Sequence, residues 1–350
     1  MQAMSEPSPR SVLLVRPSAL GDVCRSVPVL SAMRRIWPAA RLGWLVQSEF
    51  ADAVRSHPAL DEIVRFPRNE LRGAWKSPRK GKQLLEFMRF LRRADWDMVF
   101  DCQGLARSAL FSRLTGAKDR IGFSGADEFA WLHYTERVSV DETHAVDRMM
   151  GLLGGRLLDL APDMRLYTPD SDVQWWNTNG RHSNPYVVFA PKSRWPSKEW
   201  PGRRWVELAE GLSETFSGRV ILTGSSGEQG AVDELAENMK LKGIEAVSLA
   251  GRTTIGQTMA VIEKASLVVA NDSAPMHMAV GYDRPLVGLF GPTDPREVGP
   301  YGRDDAVIRP RGASGKGRDY RMPLEGSGAM SDIAVGQVLE AALEQMKAWS

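Results

Sequence analysis

Short apolar runs alternate with longer amphipathic stretches along almost the whole chain. The runs at 12–16, 42–46, 98–102, 186–190, 220–223, 246–249, 267–270 and 286–290 are four or five residues long and mostly Val, Ile, Leu, Ala and Phe. Runs of that length, bounded by polar turns, predict strands covered on both faces. The stretches 23–36, 82–93, 203–215, 228–240 and 254–265 instead space their apolar residues helically, as at Val23, Val27, Leu30 and Met33. Such alternation predicts an α/β protein built on parallel sheets with helices on both faces. Neither a coiled-coil heptad nor a short internal repeat is visible.

The pattern breaks once. Segment 162–184 is polar and rich in Pro, Asp, Asn, Ser and Gly, and a strand with a polar turn restarts on either side of it. The expectation is two Rossmann-like domains with parallel sheets facing across a cleft. Residues 11–165 form the first, 166–185 a linker, 186–330 the second, and 331–350 a terminal helix that crosses back to the first.

Polar groups gather where these strands end. Residues 271–295 set a polar turn after one apolar run, then a short helix pattern, then a second run and a second polar turn. Open α/β sheets build ligand sites at the carboxyl ends of their strands. Asp272 or Ser273 can cap the helix, Pro275 suits its first turn and Gly281 can end it. A helix N-terminus offers free N–H groups and partial positive charge, a seat for a phosphate. A phosphorylated or nucleotide ligand is the expectation.

Composition narrows this picture. With 350 residues, two domains are expected, and a net charge of +2 makes the whole chain no polycation. Nucleic acid is therefore not an expected partner. Cys24 and Cys102 lie inside apolar runs, which suggests a reducing compartment and no disulfide framework. The first ten residues lack the apolar core of a secretory signal, and no apolar run reaches the roughly 18 residues of a membrane span. A cytoplasmic, monomeric protein is expected, able to touch the cytoplasmic face of a membrane.

Several groups can carry chemistry. Asp22 follows the first strand at a helix start beside Gly21, where it reads either as a cap or as a general base kept ionised by the helix end. The loop after the strand at 186–190 carries Lys192, Arg194 and Lys198, able to neutralise a pyrophosphate or merely solvated. Glu228, after the small residues Gly224, Ser225, Ser226 and Gly227, can accept ribose hydroxyls. His277, near Asp272 and Ser273, can donate to a phosphate or serve structure alone. Between 65 and 93 stand ten Lys and Arg, beginning with Arg65, Arg68 and Arg72, against Glu70 and Glu86 alone, with Trp75 and Phe87 interleaved. That run reads as a solvated face or as a docking surface for a multiply anionic partner. Metal-ligand spacing, the Gly-x-Ser-x-Gly elbow and the Gly-x-Gly-x-x-Gly dinucleotide fingerprint are all missing.

Six spaced motifs then fall in one order: Ser18-Ala19-Leu20-Gly21-Asp22-Val23, Asp101-Cys102-Gln103-Gly104-Leu105, His144-Ala145-Val146-Asp147-Arg148, Lys198-Glu199-Trp200-Pro201, Asn271-Asp272-Ser273-Ala274-Pro275-Met276-His277 and Gly291-Pro292-Thr293-Asp294-Pro295. Over about residues 11–303 the chain resembles the heptosyltransferases of lipopolysaccharide core assembly. The resemblance implies a GT-B fold and an inverting, metal-independent transfer of heptose from ADP-L-glycero-D-manno-heptose to an inner-core acceptor. No cofactor is implied. The partners implied are that nucleotide sugar and an anionic glycolipid at the inner membrane surface. By resemblance, Asp22 is the base and Lys198 stabilises departing ADP. Ser193, Arg194, Glu228, Asp272, Ser273, Ala274 and His277 fall on the donor side; Arg16, Ser18, Gly21, Arg65, Arg68 and Arg72 fall on the acceptor side. The competing readings are a related sugar-nucleotide enzyme, with another donor or an epimerase activity, and a non-catalytic sugar-nucleotide-binding paralogue.

Overall fold

The computed structural model describes residues 8–156, 160–180, 185–310 and 330–349. Residues 181–184 of the expected linker and the 311–329 part of the expected second domain lie outside them, as do the first seven residues and Ser350. The chain divides into two compact units, Met1–Tyr167 and Thr168–Ser350.

The first unit runs β1 (Ser11–Val15), α1 (Leu20–Ile36), β2 (Arg41–Gln47), β3 (Glu62–Phe66), α2 (Arg68–Leu71), α3 (Pro78–Arg93), β4 (Met98–Asp101), α4 (Ala106–Thr115), β5 (Asp119–Phe123), β6 (Glu136–Val138) and α5 (Ala145–Gly151). The second runs α6 (Asp170–Asn179), β7 (Tyr186–Ala190), α7 (Gly202–Ser213), β8 (Arg219–Leu222), α8 (Gln229–Leu241), β9 (Ala246–Ser248), α9 (Ile255–Glu263), β10 (Leu267–Asn271), α10 (Ala274–Gly281), β11 (Leu286–Leu289), α11 (Pro295–Val298), β12 (Val307–Ile308) and α12 (Val335–Ala348).

Each unit holds one six-stranded parallel sheet. The orders are β3-β2-β1-β4-β5-β6 and β9-β8-β7-β10-β11-β12. Counted within its own unit, each reads 3-2-1-4-5-6, the Rossmann order. The order reverses beside the first strand, between β1 and β4 and between β7 and β10. Crevices for ligands open there, at the carboxyl ends of the strands.

The central strands carry the core. Leu13, Leu14, Leu42, Leu45, Val188 and Phe189 are fully buried, as parallel strands covered on both faces require. The strands missing from the sequence expectation are β3, β5, β6 and β12. All four are short or carry charge, as in Glu62 and Arg65 of β3 and Asp119 and Arg120 of β5. β3, β6 and β12 lie at sheet edges, where apolar alternation is weakest.

Two further segments differ from expectation. The stretch 166–185, expected as a linker, contains α6, which packs on α9 within the second unit. Its polar first turn, Asp170 and Asp172, suits a helix N-terminus, while Trp176 buries and donates to the Tyr186 hydroxyl at 3.0 Å. The terminal helix α12, expected to cross back, packs on α7, β10 and β11 of its own unit. Its buried Val338 and Ala342 join that unit's core.

One close contact ties β2 to the loop before β4. A Cβ added to Gly43 would lie 2.2 Å from a ring carbon of Trp96, itself 3% exposed. Gly43→Ala should therefore destabilise the protein by about 1–3 kcal/mol through overpacking, measured as a lower urea midpoint at unchanged slope.

Candidate active site

In the first unit the chain leaves β1 through Arg16-Pro17-Ser18 and enters α1 at Leu20. This start is earlier than the apolar spacing implied, and it places Asp22 in the first turn. Asp22 Oδ2 accepts from the Ala19 amide at 3.1 Å, closing the helix end. Its Oδ1 faces two guanidiniums: Arg16 Nη2 at 3.1 Å, and Arg25 Nη2 in direct contact one turn along. Burial pushes the Asp22 carboxyl up, but Arg16, Arg25 and the Ala19 amide together outweigh it and hold the group well below the usual carboxylate range. Asp22 is therefore a half-buried carboxylate held ionised at neutral pH.

Arg16 also donates to the Cys102 carbonyl at the end of β4. This joins the β1 loop to the loop after Asp101. Asp101, fully buried, accepts from the Gln103 and Gly104 amides at 2.9 and 3.2 Å and from the Tyr134 hydroxyl at 2.8 Å. Gly122 makes room for that tyrosine, whose ring lies 2.3 Å from where a Gly122 Cβ would be. Burial pushes the Asp101 carboxyl above its ordinary value, against those four partly compensating donors once Ser108 is included. Gln103, so held, reaches Ser18 Oγ at 3.5 Å. Its Oε1 and the Nε2 of Gln47 at the end of β2 are buried without a protein partner. Arg16, Ser18, Gly21 and Asp22 thus sit together as expected. Gln47 and Gln103 join them and went unassigned from sequence, although Gln103 stands inside a quoted motif.

The other expected acceptor-side residues separate. Arg68 and Arg72 line a cavity at the end of β3. Arg65 is exposed on the face of β3 opposite Phe66, which lines that cavity.

In the second unit the loop after β7 is fastened to the end of β10. Asn271, fully buried, donates to the Pro191 carbonyl at 2.7 Å and accepts from the Trp200 amide at 3.2 Å. The loop's 3-10 turn, Pro196–Lys198, aims Lys198 Nζ at Asp272 Oδ2, 2.7 Å away. Thr293 Oγ1, in the loop after β11, donates to that same oxygen at 2.8 Å. Ser193 Oγ donates to the Asp272 carbonyl at 3.3 Å. Ser273 caps α10 through its backbone position, and its hydroxyl turns back to the Asn271 carbonyl. Ala274 opens the helix and His277 is buried within it. Asp272, an expected cap, is instead the ion partner of Lys198.

The three cations of this loop do not converge. Lys192 pairs with Glu199, Lys198 with Asp272, and Arg194 is exposed, 5.6 Å above the Trp195 ring. Glu228 folds back on its own turn, accepting from the Ser225 amide and hydroxyl at 2.6 and 2.7 Å. Thr293 went unassigned in the sequence. Its signal was the Gly291–Pro295 motif, which places a hydroxyl at the end of the strand beside β10. Among the described residues, no group of three His, Cys, Asp or Glu is placed to hold a metal ion.

Two Rossmann-ordered units, one presenting an ionised carboxylate and the other a lysine beside a helix N-terminus, define the class: a GT-B glycosyltransferase. The comparisons agree. Residues 84–324 match the family described as glycosyltransferase family 9 (heptosyltransferase). Lipopolysaccharide heptosyltransferase 1 of Pseudomonas aeruginosa is 31% identical over 303 residues, 85% of this chain and 83% of its own. The E. coli ADP-heptose lipopolysaccharide heptosyltransferase II structure superposes with a TM-score of 0.78 at 22% identity, covering 97% of this chain and 99% of its own. E. coli heptosyltransferase WaaC, solved with ADP-2-deoxy-2-fluoro heptose, gives 0.75 at 25% identity over 96% and 99%. The chain belongs to glycosyltransferase family 9, the heptosyltransferases.

The Asp22 cluster has a signed pH consequence. A carboxyl lowered in the folded state stabilises the protein above its unfolded value of about 3.9, and that contribution is lost as pH falls toward the folded value. The stability deficit of Asp22→Asn relative to the parent should be largest near pH 7 and should shrink below about pH 4, measured by urea unfolding across that range.

Proposed function

We propose that the enzyme moves a heptose from ADP-L-glycero-D-manno-heptose to a hydroxyl of a lipopolysaccharide inner-core acceptor, inverting the anomeric centre without a metal ion. It works at the cytoplasmic face of the inner membrane. The observation that carries this reading is Asp22: a carboxylate kept ionised by two arginines at the carboxyl edge of the first sheet. The WaaC structure with an ADP-heptose analogue supports the donor.

In this reading the acceptor hydroxyl attacks the anomeric carbon as the sugar–phosphate bond breaks. Its proton passes to Asp22, and the bonding electrons leave with ADP. A carboxylate so far below neutrality is a weak base. It takes the proton late, after the bond to the electron-poor sugar carbon has made the hydroxyl acidic. Charge growing on the departing pyrophosphate meets Lys198 and the N-terminus of α10, which together supply the positive charge a divalent ion brings in other enzymes. Lys198 is held by Asp272 until that anion competes for it. Ser193, Ser273 and His277 surround the donor phosphates, and Arg16, Ser18 and Gly21 the acceptor.

Asp22→Ala should lower turnover by about 10²–10⁴-fold while ADP-sugar affinity stays within about twofold. Turnover near that of the parent would remove the base assignment. Lys198→Ala should cost at least about tenfold in kcat/KM, or about 1.4 kcal/mol. Thr293→Val should lower kcat/KM severalfold and Thr293→Ser should restore it, because the Thr293 hydroxyl, beside Lys198, holds the Asp272 oxygen. A donor panel of ADP-heptose, ADP-glucose and UDP-sugars, read by turnover and thermal shift, tests the donor. A preference for a UDP-sugar would overturn that part of the reading.

A further inference from the structure

A cavity of about 570 Å³ opens in the first unit between α2, α3 and α4, at the end of β3. Its wall is two-sided in chemistry. One side is apolar: Leu71, Leu84 and Phe111, backed by edge-on stacking of Phe111 against Phe66 and Phe87 with centroids 4.8 and 5.7 Å apart. The other carries three guanidiniums, Arg68, Arg72 and Arg107. Among the described residues none of the three is in an ion pair. Glu128 acts on Arg107 from a distance, with Oε2 engaged by the Ala106 amide at 3.1 Å. The Arg107 guanidinium lies 5.7 Å over the Phe66 ring. Burial, and then the neighbouring Arg68 charge, lower its pKa from the ordinary arginine value. Like charges gathered over an apolar floor cost free energy unless an anion joins them.

Around the opening the surface is amphipathic. Leu110, which lines the cavity, is 42% exposed, and Leu85, next to the lining Leu84, is 50% exposed. Phe90, on the same helix as Leu85, is 46% exposed beside Arg89 and Arg93, while Lys82 further along pairs with Glu86 at 3.9 Å. The apolar stripe of α3, Leu84, Phe87 and Leu91, packs on the core, so its outward side is basic with Leu85 and Phe90 at the flanks, and such a cationic surface is drawn to anionic lipid.

We infer that this cavity seats the phosphate head and first chain carbons of an anionic phospholipid, anchoring the first unit on a bilayer through Arg68, Arg72 and Arg107. A free phosphate satisfies the guanidiniums but gains nothing from Leu71, Leu84, Leu110 and Phe111, so the apolar floor selects the lipid. The inference rests on the peripheral-membrane part of the functional reading. Vesicle binding is measured without donor or acceptor, so either reading can fail alone.

The test is co-sedimentation of the full chain with phosphatidylglycerol-containing and pure phosphatidylcholine vesicles. The parent should bind the former at least tenfold better. Arg107→Gln should weaken that binding at least about fivefold, the order expected for one cation at an anionic surface. Leu110→Ser should weaken it severalfold with every charge intact. Arg10→Gln, which removes an exposed cation just before the amino end of β1, should change it less than twofold. A near-ultraviolet circular dichroism spectrum like the parent's shows that a variant is folded. Equal binding to both vesicle types, or an Arg10→Gln loss matching Arg107→Gln, would overturn the site. So would release from the vesicles by inorganic phosphate at the concentration of the lipid phosphate.

Discussion

The structure depends on two buried polar side chains that end the fourth strand of each sheet. Asp101 closes β4 and Asn271 closes β10, each at 0% exposure. A parallel sheet leaves backbone groups of the next loop without ladder partners at its carboxyl edge, and a buried group left unpaired costs about 1–3 kcal/mol. Asp101 satisfies the Gln103 and Gly104 amides; Asn271 satisfies the Trp200 amide and the Pro191 carbonyl. These bonds also fix position. Gln103 is set toward Ser18, and the loop carrying Lys198 is clamped against the strand that delivers Asp272. Because both sheets share the order 3-2-1-4-5-6, the same device operates at the same topological place twice.

The two charged clusters differ in balance. Asp22 with Arg16 and Arg25 carries one positive charge in excess, whereas Lys198 with Asp272 is neutral. An excess cation beside the carboxylate costs basicity, as its lowered pKa records, yet it guarantees ionisation at any physiological pH. In the proposed reaction it also favours an anionic acceptor arriving nearby. The neutral pair protects a partly buried lysine from the cost of standing alone, at the expense of competing with the ligand. Thr293 makes that competition more even by holding the carboxylate oxygen in place when the lysine turns away.

Much of this was legible in the sequence, for identifiable reasons. Seven of the eight strands found are buried, because parallel strands covered on both faces are continuous apolar runs; the eighth, β9, is an edge strand whose Ala246-Val247 was apolar enough to show. β3 and β6 were missed because edge strands face water and carry charge. α6 was read as linker because the Asp and Ser residues that favour a helix start also compose loops; its Trp175-Trp176 pair was the contrary signal. In the site, Asp22, Lys198 and Asp272 were marked by chemistry at strand ends, and Ser193 by the family resemblance alone. Gln47 and Gln103 were not, because a neutral amide carries no charge pattern and its importance appears only as a buried atom without a partner. The convergence expected of Lys192, Arg194 and Lys198 failed because sequence counts cations without seeing that Glu199 claims the first.

Cap and base are not rival descriptions of Asp22. Its two oxygens face different partners: Oδ2 takes the Ala19 amide, and Oδ1 meets Arg16 and Arg25. The amide bond fixes the plane of the carboxylate and needs no change during reaction. The arginine side can yield, because Arg16 also holds the Cys102 carbonyl and keeps a partner when its contact with Oδ1 lengthens. In the proposed reaction a hydroxyl approaching Oδ1 therefore meets a hydrogen-bond acceptor whose orientation is already set. On the proposed mechanism, capping is then the means by which Asp22 is preorganised as the base, and the helix start supplies both its rigidity and its charge.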